Sequence, residues 1–251
     1  MKTFRMVSAC LAGSLLFGGY AAGADTVSNK KVGNTPINAD TALTQAAKTN
    51  IPFIQNQGQV NNNEVGFYAK LFSGTLFVTL DNTLAYSVAG KVPQDVEKSA
   101  AHPRWSFRES FVNRKPSQPG SVFPSSIQAS QFRGDKPGSW RQQLPVYDRT
   151  DLGEVYAGIR VALQATGNNV EKLFYVAPGA NVSDIKIAVQ GVQETTINNH
   201  GQLVLNTGLG NVVFTAPVAY QDINSQRNDV TVKYALADNT YGFSLGDYDP
   251  T

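Results

Sequence analysis

Asp148, Asp151 and Glu154 stand three residues apart, a spacing that could bring two carboxylates to one substrate. Such a pair supports glycoside hydrolysis, one group protonating the leaving oxygen and the other acting as base or nucleophile. The same residues fall at a strand end and a turn, where carboxylates are ordinarily solvated. His102 and His200 are the candidate metal ligands or general bases. Neither has a second His three or four residues away, the spacing of a zinc pair on one element. His102 adjoins Pro103 in a stretch of mixed charge, and His200 lies in an Asn-Asn-His-Gly turn. With no Gly-x-Ser-x-Gly elbow and both histidines in turns, a Ser-His-Asp triad is not expected. Asp247, Asp249 and the pair Asp238-Asn239 offer hard oxygen ligands for calcium, but their spacing matches no EF-hand loop. Glu171, beside Lys172, reads as a member of a cross-strand ion pair. Trp105 and Trp140 are the candidate ligand-binding residues: each could stack on a sugar ring, anchor a partner, or fill a core. No catalytic residue, metal ligand or cofactor is assigned.

These residues must be positioned by strands, because strands are almost all the pattern contains. Glu64–Leu71, Thr75–Leu80 and Thr83–Val88 alternate apolar with polar and are separated by Ser73-Gly74 and Asp81-Asn82, which describes a β-meander. From Lys172 the chain reads strand, Pro178-Gly179 turn and second strand, with Ile185, Ile187 and Val189 on one face: an antiparallel unit. Further strands are predicted at Trp105–Val112, Ile127–Phe132, Val146–Arg149, Gly158–Ala165, Glu194–Ile197, Leu203–Asn206, Val212–Thr215, Val218–Ile223, Val230–Ala235 and Thr240–Leu245. Residues 90–103 and 113–125 carry several prolines and read as long irregular loops. The expected fold is all-β, an antiparallel β-sandwich or stacked-sheet domain with long irregular loops. No fixed-period repeat is present. A short helical pattern at Thr41–Lys48 is the one exception to the strand signal.

The N-terminus is of another kind. Lys2 and Arg5 precede an apolar stretch from Met6 to about Ala21, and Ala22-Gly23-Ala24 supplies small residues for signal peptidase. Residues 1–24 are therefore expected to be a signal peptide, 25–51 a flexible leader and 52–251 the β-rich domain, with a sub-domain split near 113–126 allowed. Val7-Ser-Ala-Cys10 resembles a lipoprotein cleavage box, but a lipid anchor at Cys10 is not expected, since cleavage there would leave the apolar stretch on the mature protein. The apolar stretch is too short and Gly-rich for a span of about 20 apolar residues, so no transmembrane segment is expected after processing. Without residues 1–24 the chain has no cysteine, which removes disulfides and thiolate chemistry. The net charge of +2 falls to zero with Lys2 and Arg5 gone, leaving no basic footprint for nucleic acid.

Several segments in order resemble a known family: Pro52-Phe-Ile-Gln-Asn-Gln-Gly-Gln59, Val65-Gly-Phe-Tyr-Ala-Lys70, Gly74-Thr-Leu-Phe-Val-Thr79, Phe132-Arg-Gly-Asp-Lys-Pro-Gly-Ser-Trp140 and Leu144-Pro-Val-Tyr147. Leu152-Gly-Glu-Val-Tyr-Ala-Gly-Ile159, Phe174-Tyr-Val-Ala-Pro-Gly-Ala180, Ala216-Pro-Val-Ala-Tyr220 and Gly242-Phe-Ser-Leu-Gly-Asp-Tyr-Asp-Pro250 continue the series. They resemble the N-terminal domain of secreted bacterial proteins that carry SBBP (β-propeller) repeats, here without the repeats. The resemblance implies a secreted, β-rich domain and supplies no catalytic residue. In that family the Tyr-Asp-Pro segment leads into one more apolar strand; here the sequence ends at Thr251, and a missing strand would leave an open sheet edge.

The expectation from the sequence is a secreted or surface-exposed, non-catalytic β domain with a structural, adhesive or macromolecule-binding role. Its partner would be an extracellular protein or polysaccharide, met through the loops 90–103 and 113–126 or through a sheet edge. A carbohydrate-binding module built on Trp105 or Trp140, and a secreted glycoside hydrolase-like enzyme, are the alternatives.

Overall fold

The computed structural model describes residues 3–11, 49–90, 103–126, 129–131, 141–167 and 169–250. Among the described residues the chain is all-β, apart from a 3-10 turn at Val182–Asp184. The strands are β1 (Thr3–Leu11), β2 (Phe53–Gln55), β3 (Val65–Leu71), β4 (Gly74–Thr79), β5 (Leu84–Ala89), β6 (Arg104–Phe111) and β7 (Gly120–Pro124). Then follow β8 (Ala129–Gln131), β9 (Arg141–Leu144), β10 (Val146–Tyr156), β11 (Ile159–Thr166), β12 (Asn169–Val176) and β13 (Ile187–Gln190). The last are β14 (Glu194–Ile197), β15 (Leu203–Thr207), β16 (Gly210–Phe214), β17 (Val218–Ile223), β18 (Gln226–Val230), β19 (Val232–Ala237) and β20 (Thr240–Leu245).

One continuous antiparallel sheet folds over on itself to make two layers. The first runs β3-β4-β5-β6-β13-β20-β19, and the second runs β2-β10-β11-β12-β1, with β16 and β17 both on the far edge of β1. The short β2–β3 pairing is the corner between them. Alternation makes the core: on β12 Val170, Lys172, Phe174 and Val176 point inward, and on β6 Phe107, Glu109 and Phe111 point inward from the other layer. Phe174 meets Phe243 of β20 edge-on at 5.4 Å, and Phe111 meets Tyr156 of β10 at 6.3 Å, so aromatic pairs cross the interface between layers. A single cluster of buried residues spans both layers, from Phe53 to Phe243.

The meander β3-β4-β5 forms as its alternation and turns predict. The Lys172–Gly191 unit does not close as a hairpin. Its first strand, β12, pairs with β11 and β1, whereas β13 pairs with β6 and β20 in the other layer. Between them Asn181 caps the 3-10 turn with its side-chain oxygen, accepting from the Ser183 N–H at 3.1 Å, and the chain passes from one layer to the other there. Ile185 belongs to this crossing and is buried ahead of the strand. Gly242 has a packing reason: a Cβ on it would collide with the Ile185 carbonyl oxygen.

The 113–125 segment is less irregular than its prolines predict. Gly120–Pro124 adds to β10, with Thr150 Oγ1 donating to the Gly120 carbonyl at 2.9 Å. An edge strand tolerates Pro124 because only one side of it needs donors. Of the predicted Ile127–Phe132 strand, the described part is β8, which pairs with β9. The helical pattern at Thr41–Lys48, most of the 90–103 loop, His102 and Trp140 lie outside the described residues.

Candidate functional site

The three spaced carboxylates share one strand instead of dividing between a strand end and a turn. β10 runs on to Tyr156 through two irregularities in its pairing with β11, and Gly153 adopts φ +78° at the first. Each carboxylate is engaged. Asp148 accepts from Asn50 Nδ2 at 2.7 Å. Asp151 is almost fully buried; it accepts from Arg160 Nε at 2.7 Å and from the Gly153 N–H at 2.7 Å. Glu154 accepts from Lys115 Nζ at 2.6 Å and from the Gly158 N–H at 3.2 Å, and these bonds hold its carboxyl below the ordinary range. A hydrolase acid needs the opposite displacement, a carboxyl raised toward neutrality.

The other sequence candidates are dispersed. His200 sits exposed in its turn, where its N–H donates to Asn198 Oδ1. Asp238 occupies the β19–β20 turn, while Asp247 and Asp249 follow the far end of β20. A six-residue strand separates them by roughly 20 Å, too far to share one ion. Among the described residues no group of three or more His, Cys, Asp or Glu lies close enough to hold a metal. Trp105 is half-buried: its indole N–H donates to the Gly191 carbonyl at 2.6 Å, and its ring lies so close on Gly208 that a Cβ there would collide with it. The indole thus fastens the β15–β16 turn to β6. Glu171 lies on the face of β12 opposite Lys172, in register with Arg149 two strands away through Gln164. Burial raises the Glu171 carboxyl, with the Arg149 charge opposing.

Lys172 instead points into the core and meets Glu109 across the two layers. Nζ lies 3.1 Å from Glu109 Oε2, both side chains fully buried, and 4.3 Å from the centre of the Phe214 ring. Tyr86 OH donates to Oε2 at 2.8 Å, and Tyr241 OH donates to Oε1. Burial, then the adjacent Glu109 charge, pushes the Tyr241 phenol well above its usual range. This network was not singled out in the sequence, although a signal exists: Glu109 and Lys172 hold the apolar phase of their strands, between Phe107 and Phe111 and between Val170 and Phe174. With both side chains sealed from solvent, it serves as a polar bolt between the layers.

The open concavity lies elsewhere, between the β4–β5 turn and the loop after β6. It is a cleft of about 730 Å³ lined by Leu80, Asp81, Phe111, Asn113, Arg114 and Ser117, among others. Burial alone would raise the Asp81 carboxyl. Hydrogen bonds from Thr79 and Thr83 and the Arg114 charge outweigh it and hold Asp81 ionised below the ordinary range. Asn82, fully buried at φ +63°, fixes the cleft wall: its Nδ2 donates to Ser117 Oγ at 2.8 Å and to the Leu152 carbonyl at 2.9 Å. The cleft presents an anion, a cation, amide groups and two apolar side chains on one shallow surface.

No curated protein and no solved structure matches the chain. One family model does, over residues 53–251, and that span takes in every strand from β2 to β20 while leaving β1 outside. The chain belongs to the family described as Domain of unknown function (DUF7948).

Proposed function

We propose that this protein is a secreted or surface-exposed, non-catalytic β domain with a structural, adhesive or macromolecule-binding role. The observation that carries the reading is the state of the carboxylates: Asp148, Asp151 and Glu154 are each held by a donor or cation, and none lines the open cleft. The cleft bordered by residues 113–118 is the contact surface this reading favours, in the second of the two loops read from the sequence as binding loops. The signal-peptide pattern of Met1–Ala24 and the resemblance to domains ahead of SBBP repeats support an extracellular destination. No helix among the described residues is long and apolar enough to cross a membrane.

Fractionation of expressing cells, with mass spectrometry of the N-terminus, tests the destination. Recovery outside the inner membrane beginning at Asp25 agrees with the proposal; an intact Met1 in the cytoplasm overturns it. Binding is tested by Arg114→Glu, which reverses the cleft's cation and should abolish retention on the extracellular surface while leaving the melting temperature unchanged. A carbohydrate-binding reading draws on the same cleft and on the half-buried Trp105. Iodide quenching of tryptophan emission that a soluble polysaccharide relieves would favour it.

A further inference from the structure

The second layer depends on a strand that does not belong to the family domain. β1 pairs antiparallel with β12 along its full length, from Phe4↔Val176 to Leu11↔Asn169. Its other edge pairs with β17 from Thr3↔Asp222 to Val7↔Val218 and with β16 at Cys10↔Phe214 and Leu11↔Val213. Among the described residues β1 is the only strand whose ladder joins β14–β18 to β10–β11–β12. Without it five strands keep their packing on the other layer but lose every backbone pairing to the rest of the sheet. Two edges would then face each other across a one-strand gap, each with unpaired N–H and C=O groups. The gap's floor is mostly apolar: Val170, Phe174, Val176, Phe214 and Ala219 at the paired positions are all buried, with Lys172 and Gln221 as its polar members.

The matched family domain begins at residue 53, so β1 lies outside the matched region. In this chain the filler is a stretch of Met1–Ala24, which the sequence pattern assigns to a removable signal peptide. The far end of the gap is already marked out by the tail of the domain. The Asp249 N–H donates to Gln221 Oε1 at 2.9 Å, Gln221 Nε2 donates back to the Asp249 carbonyl at 2.6 Å, and the Gly179 N–H donates to the Pro250 carbonyl at 2.9 Å. These bonds tie the β17 edge and the turn after β12 to the adjacent residues Asp249 and Pro250.

We propose that the groove between β12 and β17 is an acceptor site for one extended strand, occupied by Thr3–Leu11 in the unprocessed chain and, after signal removal, by an apolar strand donated by a partner polypeptide. This inference rests on the secreted reading above. The donor's chemistry follows from the site: a segment of about eight residues without proline, running antiparallel to both edges, with alternate side chains apolar to cover the floor. Main-chain hydrogen bonds on both sides supply affinity, and the alternating positions supply register.

The test begins with the folded full chain carrying a protease site inserted between Ala24 and Asp25. After nicking, a fluorescent peptide of the sequence Thr3–Leu11 is added in excess, alongside the same peptide with Val7→Pro. The proposal expects one-to-one incorporation of the first peptide and none of the second. With the peptide bound, amide exchange at Val170–Val176 and Val218–Gln221 should be slowed by about tenfold or more relative to the empty form. Three outcomes overturn the proposal: a label that never enters, β12 and β17 amides equally protected with the groove vacated, or protection that depends on protein concentration and so reports a second copy. Finding residues 1–24 retained on the secreted protein would remove the processing premise while leaving the exchange result standing.

Discussion

Glu109 and Asp151 are both carboxylates that meet a cation from another strand, yet they do different work. Glu109 meets Lys172 with both side chains fully buried, whereas Asp151 meets Arg160, whose side chain is 60% exposed. Desolvation makes the difference. An ion taken out of water must recover its hydration from protein groups, and Glu109 does so through Lys172, Tyr86 and Tyr241. Along β10 water remains available to the cations, so pairing there changes little. The contrast shows why counting ion pairs says little about stability: one buried pair fixes how the layers register, and several surface pairs decorate a rim.

Breaking the buried pair from one side has the largest expected effect. Lys172→Met leaves Glu109 charged in the core and should lower unfolding free energy by about 3–5 kcal/mol, read from urea midpoints. Glu109→Leu combined with Lys172→Met should recover most of that loss; a double variant as unstable as the sum of the singles would show that packing, not charge, is responsible. Tyr241→Phe removes one bond to a charged acceptor and should cost about 1.5–3 kcal/mol.

Asn82 extends the contrast to a neutral buried group. Asn82→Ala should cost about 1–3 kcal/mol through the lost bonds to Ser117 and Leu152, with a further penalty from the left-handed backbone. Asn82→Gly isolates the two terms, because glycine accepts that φ and still loses the bonds.

The alkaline limb of the stability curve tests burial directly. Burial pushes the Tyr156 phenol up to about 12, against the opposing bond that the Lys186 backbone N–H donates to the phenol oxygen. Below pH 10 the phenol is neutral in both states and its contribution is intact. Above that the unfolded chain releases the proton while the folded one holds it, so stability falls between about pH 10 and 12, by roughly 2–3 kcal/mol. Phenolate absorbance should lag for Tyr156 and Tyr241 until unfolding. The exposed pair gives the smallest response: Glu154→Gln should leave the melting temperature where it is.

Much of the fold was legible because strands with one wet and one dry face alternate visibly. β3, β4 and β5 carry that pattern and the turn residues between them. What alternation cannot convey is which layer a strand joins. β12 and β13 each alternate, and a Pro-Gly turn stands between them, yet the 3-10 turn sends β13 into the other layer. The prolines of 113–125 concealed β7, since an edge strand satisfies only half of the rule that excludes proline from sheets. Trp105 was open between platform and packing on sequence grounds, and its contacts with the Gly191 carbonyl and Gly208 come from residues distant along the chain.

By itself the sequence determined the all-β class, the strand-and-turn rhythm from Val65 onward, the signal-like character of Met1–Ala24 and the absence of a histidine or cysteine cluster. The reason is that solvent exposure is a local, periodic demand on each strand. Only the tertiary structure decided that Glu109 and Lys172 are partners, that the β10 carboxylates are each occupied, and that β14–β18 join the second layer through a strand outside the family domain. Those are pairings between residues far apart in the chain, and a contact of that kind is set by how layers stack, which no window of neighbouring residues contains.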